Sequence, residues 1–270
     1  MMPLKKNPSH VAKDTALFPL FKAHMGKDLH LARIRLICLF ITALCKAKSV
    51  NFVKVSAAFD TPSLASSCMR RIQRFMAEVE LPMKLVSSFI FKSLPIKGKL
   101  ILVMDRTNWK FGGSNINILM LGVAYRNVAI PLLFKMLDKR GNSSTEERID
   151  LMQDFMDWFG TERIDCLLAD REFVGDKWLK FLNRNQIRYH IRIRNNFKVF
   201  LPRKQQYIKV SHLFNAVKVN QCQHYRHIVS LGEELCYLSA TKSVVQGKVE
   251  LLVLVSFNKP DEALSYYRER

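Results

Sequence analysis

The chain has 270 residues and a mass of 31.4 kDa, room for one large domain with an appendage or for two domains of ordinary size. Apolar residues make up 49% and aromatics 10%, enough burial to offset chain entropy, so a disordered chain is excluded. With 43 Lys and Arg against 23 Asp and Glu, the charge is +20 and the pI near 9.9; because the basic residues interleave with apolar periodicity, the expected partner is a nucleic-acid backbone, ahead of ribosomal or membrane-surface roles.

Residues 1–96 read as helical, since apolar positions recur at three and four and strand-like alternation is absent. Asp28 to Lys46 is the first strong helix, apolar over a broad face (Leu29, Ile34, Ile37, Phe40, Ile41, Leu44), which suits the centre of a small bundle. Its most apolar stretch, Leu36 to Cys45, is half the roughly 20 residues a bilayer span takes, so no membrane segment is expected there. Asn51 to Phe59 reads as a short helix, Asp60-Thr61-Pro62 as a turn with a cap and a first-turn proline, and Ser63 to Val79 as a second helix. This is helix-turn-helix spacing. Cys68, Ile72, Phe75 and Val79 follow a core face, leaving Arg70, Arg71 and Arg74 to reach DNA or to form an ordinary solvated face.

The texture turns strand-like near Leu94-Pro95-Ile96-Lys97-Gly98, which places a domain boundary at 96/97. Leu100 to Met104 is an apolar run ending on Asp105, as in a strand buried on both faces. Strands Ile116 to Ala124 and Ala129 to Met136 follow across a Tyr125-Arg126-Asn127 turn. A helix then opens at Ser144-Thr145-Glu146-Glu147 and runs to about Phe159. Ile164 to Ala169 is a second buried strand ending on an aspartate, Asp170; a short helix (Asp176 to Asn183) and a strand (Ile187 to Ile193) complete an α/β unit. By analogy with a known fold, the order β-β-β-α-β-α-β is that of a ribonuclease-H-like core. Residues 195–257 are basic and strand-rich and look like a β insertion, with Arg192, Arg194, Lys198, Arg203, Lys204 and Lys209 near its start; a last helix begins at Pro260-Asp261-Glu262.

The six cysteines (38, 45, 68, 166, 222 and 236) include no Cys-x-x-Cys pair, which suits free thiols in a reducing cytosol and agrees with the lack of a secretory leader. Cys38, Cys45, Cys68 and Cys166 read as small buried residues. Cys222, His224 and His227 form a local group, but zinc needs four ligands and the nearest further one is Cys236, so structural zinc is not expected.

Two aspartates closing buried strands are the main chemical signal. Carboxylates there face the crevice at strand ends, and if the strands are neighbours they grip the same pair of divalent ions. Phosphodiester chemistry needs such a clamp, one ion activating the attacking oxygen and the other stabilising the leaving oxygen; hard oxygen ligands suit Mg²⁺ or Mn²⁺. Glu172, next to Arg171, is expected to pair with that arginine on the surface.

The segments Leu102-Val-Met-Asp105-Arg-Thr-Asn-Trp109 and Leu168-Ala-Asp170-Arg-Glu-Phe173 resemble the first two catalytic motifs of bacterial insertion-sequence transposases, in the group named after insertion sequence four. Tyr267 and Arg270 match the first positions of that group's third motif, Tyr-x2-Arg-x3-Glu-x6-Lys. The resemblance implies a ribonuclease-H-like core with a β insertion behind an all-α DNA-binding domain. It also implies Asp105 and Asp170 as catalytic, metal-binding residues holding two Mg²⁺ or Mn²⁺ ions, and DNA contacts from Tyr267 and Arg270 beside those of Arg194 and Lys198. The implied activity is metal-dependent cleavage of element ends and strand transfer, on terminal repeats and target double-stranded DNA, by a homodimer at the bacterial nucleoid. The motif's glutamate would fall four residues beyond Arg270, and Glu269 is not its equivalent. A second reading is therefore a truncated, inactive DNA-binding product that inhibits the full-length enzyme, and a third is a ribonuclease-H-like nuclease unconnected with transposition. Some relatives stack a flipped base on a tryptophan of the insertion; here Trp109, Trp158 and Trp178 all precede it, leaving Tyr207, Phe214, Tyr225 and Tyr237 as candidate platforms.

Overall fold

The computed structural model describes residues 16–258 and 260–270; the helical reading of the first fifteen residues lies outside them. The chain divides into two compact units, Met1–Ser93 and Leu94–Arg270.

The described part of the first unit is helical: α1 (Leu17–Met25), α2 (Leu31–Ala47), α3 (Phe52–Ala57), α4 (Ala65–Glu78) and α5 (Met83–Ser93). α2 starts later than Asp28 because His30 is the extended cap residue, its Nδ1 accepting the Ala32 N–H. The Asn51 carboxamide caps α3 through the N–H groups of Val53 and Lys54. The expected turn and helix are both present, but α4 opens two residues later than Ser63. Thr61 and Pro62 stay in the turn, where Thr61 Oγ1 accepts the Ser63 N–H, and the helix begins at Ala65 behind Leu64, which has no side chain able to cap it. One apolar cluster joins Phe18, Phe21 and Met25 of α1 to Ile34 and Cys38 of α2, with Leu85 and Phe89 of α5 against it; another joins Leu36 and Ala43 to Val55, Phe59, Cys68 and Ile72. Cys45, expected inside, is exposed in the last turn of α2.

The second unit opens with an antiparallel meander, β1 (Leu100–Phe111), β2 (Ser114–Tyr125) and β3 (Val128–Met136). Arg126 and Asn127 both adopt positive φ (49° and 62°), as a two-residue hairpin turn of the twist-matching kind demands. α6 (Thr145–Phe159) is started by a capping box in which Ser144 and Glu147 satisfy each other's backbone N–H groups. β4 (Ile164–Ala169) runs parallel to β1, and after α7 (Asp176–Arg184) β5 (Tyr189–Ile193) runs parallel to β4.

The remaining strands are β6 (Lys198–Leu201), β7 (Gln206–Lys209), β8 (Cys222–His224), β9 (Val229–Leu231), β10 (Glu234–Val245) and β11 (Lys248–Ser256), with the short α8 (Val210–Leu213) after β7 and α9 (Ala263–Tyr267) last. They do not form a separate layer. The order is β3-β2-β1-β4-β5-β11-β10-β9-β6-β7, with β8 also on β10, so the strand-rich stretch continues the core sheet through an antiparallel β5–β11 pairing. Buried residues on both sides of that join (Ile191, Ile193, Val253, Leu254 and Val255) explain it, since β11 is apolar enough to be covered on both faces. α6 packs on the β2–β3 side. On the opposite face Tyr266, at the end of α9, lies over Val103, Ala124, Cys166 and Leu168.

Candidate active site

β1 and β4 pair in parallel with Met104 opposite Ala169, so the next residues along, Asp105 and Asp170, stand side by side. Side chains alternate along a strand. Both carboxylates therefore project to the face that carries Val103, Cys166 and Leu168, the face under α9. Met104 and Ala169 are fully buried, while the Asp105 and Asp170 side chains are 61% and 33% exposed, which marks the lip of the crevice. One expectation is corrected: β1 does not end at Asp105. It runs on to Phe111 against β2, with Asp105 opposite Met120, and what ends is its partner β4.

The two carboxylates are held alike. Each Oδ1 accepts the N–H of the following residue, Arg106 at 2.8 Å and Arg171 at 2.7 Å. Each Oδ2 faces the Arg270 guanidinium, at 3.3 Å from Asp105 and 3.9 Å from Asp170. Arg270 also donates to the Tyr267 hydroxyl at 3.2 Å. Burial works to lower the Arg270 pKa, but Tyr267, Asp105 and Asp170 outweigh it and the net shift is upward. Burial also raises the Tyr267 phenol. One cation is thus already shared between the two oxygens, and the pair fits a hard divalent ion whose other positions come from water and phosphate. No group of three or more His, Cys, Asp or Glu converges among the described residues.

α9 delivers Tyr267 and Arg270 to this position because its underside is anchored. The Tyr266 hydroxyl donates to Asp165 at 2.9 Å and accepts from Arg188 at 2.9 Å, and Arg188 also pairs with Asp165 at 2.6 Å and with Glu262 at 3.0 Å. Ala263 and Leu264 are buried with Leu254, and Tyr267 packs against them.

Glu172 does not pair with Arg171. It forms a two-pronged ion pair with Arg106, at 2.9 and 3.0 Å, because Arg106, next to Asp105 within β1, points to the face opposite the carboxylates and Glu172 meets it there. Arg106 also donates to Asn117 and Asn142, and Asn117 donates to the carbonyls of Lys139 and Gly141. Buried Arg148 bonds Ser143 and lies over the Phe173 ring at 5.1 Å. This network clamps the turn after Asp170 onto β1. Sequence reading missed it; the signal available was only that Arg106 and Glu172 each sit one or two places after a candidate aspartate.

The other candidate residues stand on other elements. Arg70 and Arg74 are exposed and Arg71 half-buried on α4, without an ion pair among the described residues. Arg194 and Lys198 are exposed at the end of β5 and the start of β6. Of the expected stacking residues, Phe214 is fully buried and has no face to offer a base, Tyr225 and Tyr237 are half-buried, and Tyr207 is 71% exposed against Phe200. Cys236 is buried, which pushes its thiol up to about 12, whereas Cys222 is exposed and His224 shares a hydrogen bond with Ser239.

No protein-family model matches the chain, and no curated protein matches it. Among solved structures it is similar to a cryo-electron-microscopy structure of the piggyBac transposase synaptic complex with hairpin DNA, at 14% identity and a TM-score of 0.46, over 90% of this chain and 57% of that one. The chain thus spans little more than half the length of that protein. No helix among the described residues is long and apolar enough to cross a membrane.

Proposed function

We propose that the chain is a DNA transposase of the two-aspartate-plus-glutamate type, built on a ribonuclease-H-like core and acting on element ends and target DNA as a homodimer. The observation that carries this reading is the pairing of Asp105 with Asp170: adjacent in register, on one face, and sharing one cation. The strand order β3-β2-β1-β4-β5, antiparallel and then parallel, supports the core assignment, and the +20 charge supports a polyanionic substrate. Mg²⁺ or Mn²⁺, two ions in the complete reaction, would activate the attacking oxygen and stabilise the leaving one. The chain's own part is positional. Asp105 and Asp170 present Oδ2 atoms with their Oδ1 atoms tied to backbone, Tyr267 and Arg270 stand where a strand would enter, and Arg70, Arg71 and Arg74 with Arg194 and Lys198 offer phosphate contacts.

Mg²⁺-dependent nicking of DNA carrying the element's ends tests this. Asp105→Ala and Asp170→Ala should each lower it by more than the roughly 10–100-fold that changes around a metal's ligands cost. Undiminished nicking in both variants rejects the assignment. A second reading is favoured by the Arg270 guanidinium lying against both aspartates, with no third acid converging on them among the described residues: a protein that holds DNA ends without cutting them and hinders an active copy. It predicts salt-sensitive end binding and no product even in Mn²⁺.

A further inference from the structure

The row of charged residues does not stop at the aspartates. β4 and β5 pair with Ala169 opposite Ile191, so Arg192 follows beside Asp170 as Asp170 follows beside Asp105. With strands about 4.8 Å apart, the crevice face reads carboxylate, carboxylate, guanidinium over roughly 10 Å. Arg194, two residues on, leaves β5 on the same side, and Arg171 closes the near edge. Together with Asn195, Asn196 and Glu250 these arginines line an open polar cleft of about 480 Å³.

Its charges are nearly uncompensated. Arg192 has a single long pairing, 3.9 Å to Glu250, and Arg171 and Arg194 have no carboxylate partner among the described residues. Three guanidiniums along one cleft, with neutral amides beside them, match phosphate oxygens, which arginine engages through paired N–H groups. A lone phosphate needs one such group. Cations spaced along a row suit a ligand whose negative charges recur at short intervals, as in a nucleic-acid strand.

We propose that the Arg171, Arg192 and Arg194 cleft binds the successive phosphodiesters that follow the one at Asp105 and Asp170, on a single nucleic-acid strand crossing β1, β4 and β5 towards β11. The proposal rests on the reaction-centre reading for the path of the strand, but binding in the cleft is measurable without reaction.

The test uses the full chain in EDTA and the fluorescence anisotropy of a labelled single-stranded oligodeoxynucleotide between about 50 and 200 mM salt. The double variant Arg192→Gln/Arg194→Gln should bind roughly tenfold more weakly, with the logarithmic salt slope shallower by about 1.4, or roughly 0.7 for each phosphate left without its arginine. Glu250→Gln, which frees Arg192, should tighten binding about twofold to threefold, a direction that misfolding does not produce. Inorganic phosphate should displace the strand no better than chloride at equal ionic strength. An unchanged slope in the double variant, weaker binding by Glu250→Gln, or efficient displacement by phosphate overturns the proposal. If the parent binds as expected but never nicks DNA, the reaction-centre reading falls and the cleft stands.

Discussion

His190 sits on β5 one step behind Arg192 on the crevice face, fully buried, with Nδ1 2.8 Å from the Ser256 hydroxyl and Nε2 without a partner. Burial, helped by nearby Arg188, lowers its pKa from 6.5 to about 4. The folded state therefore refuses a proton that the unfolded chain accepts near its ordinary value. Stability from this group is complete above that value and is lost as pH falls through the window towards 4, by up to about 3 kcal/mol. Urea midpoints measured from pH 7 down to about 4.5 should fall more steeply for the parent than for His190→Gln. Equal slopes would clear His190 of the effect. No run of sequence announces such a residue, because its environment comes from β11 and α9. The aspartates are different: each follows an apolar run, so the sequence alone marks them. What it hides is their surroundings. Arg106 and Glu172 meet only because β1 and β4 are register neighbours, so the local neighbour Arg171 looks like the natural partner of Glu172.

Among the elements, α9 shows how a very short helix is held. Five residues supply little intrinsic helix stability. Its place depends on Ala263 and Leu264 beneath it and on the Tyr266 hydroxyl between Asp165 and Arg188. Tyr266→Phe keeps the ring and removes those bonds, at a cost of about 1–2 kcal/mol, so the unfolding midpoint should drop by roughly 2–6 °C. An unchanged midpoint would show that packing alone seats the helix. Elements whose signals are local were legible: the Arg126-Asn127 turn and the Ser144-to-Glu147 capping box are read from adjacent residues. The start of α4 was misplaced because Thr61 and Pro62 carry strong local signals, yet the chain turns further before the helix opens behind Leu64. β11 was hidden for the opposite reason. Its partner β5 lies some sixty residues earlier, and no local signal shows that the basic, strand-rich stretch between them extends the core sheet.

For the whole molecule, two separate apolar cores imply two units able to resist proteolysis separately. The segment between them offers Lys97, Gly98 and Lys99 exposed and outside regular structure. Brief trypsin treatment should cut there first and leave two resistant fragments, since cleavage needs locally opened chain. Early scattered cuts within α2 or α4 would contradict that division. The continuation of β1 past Asp105 has a mechanical consequence as well. Asp105 is fixed in mid-strand, bonded to β2 before and after it, whereas Asp170 sits where β4 has ended and the chain has begun to turn. The two carboxylates thus differ in compliance. Any change in their separation belongs to the Asp170 side, where the Arg106 and Glu172 pair ties the turn back to β1.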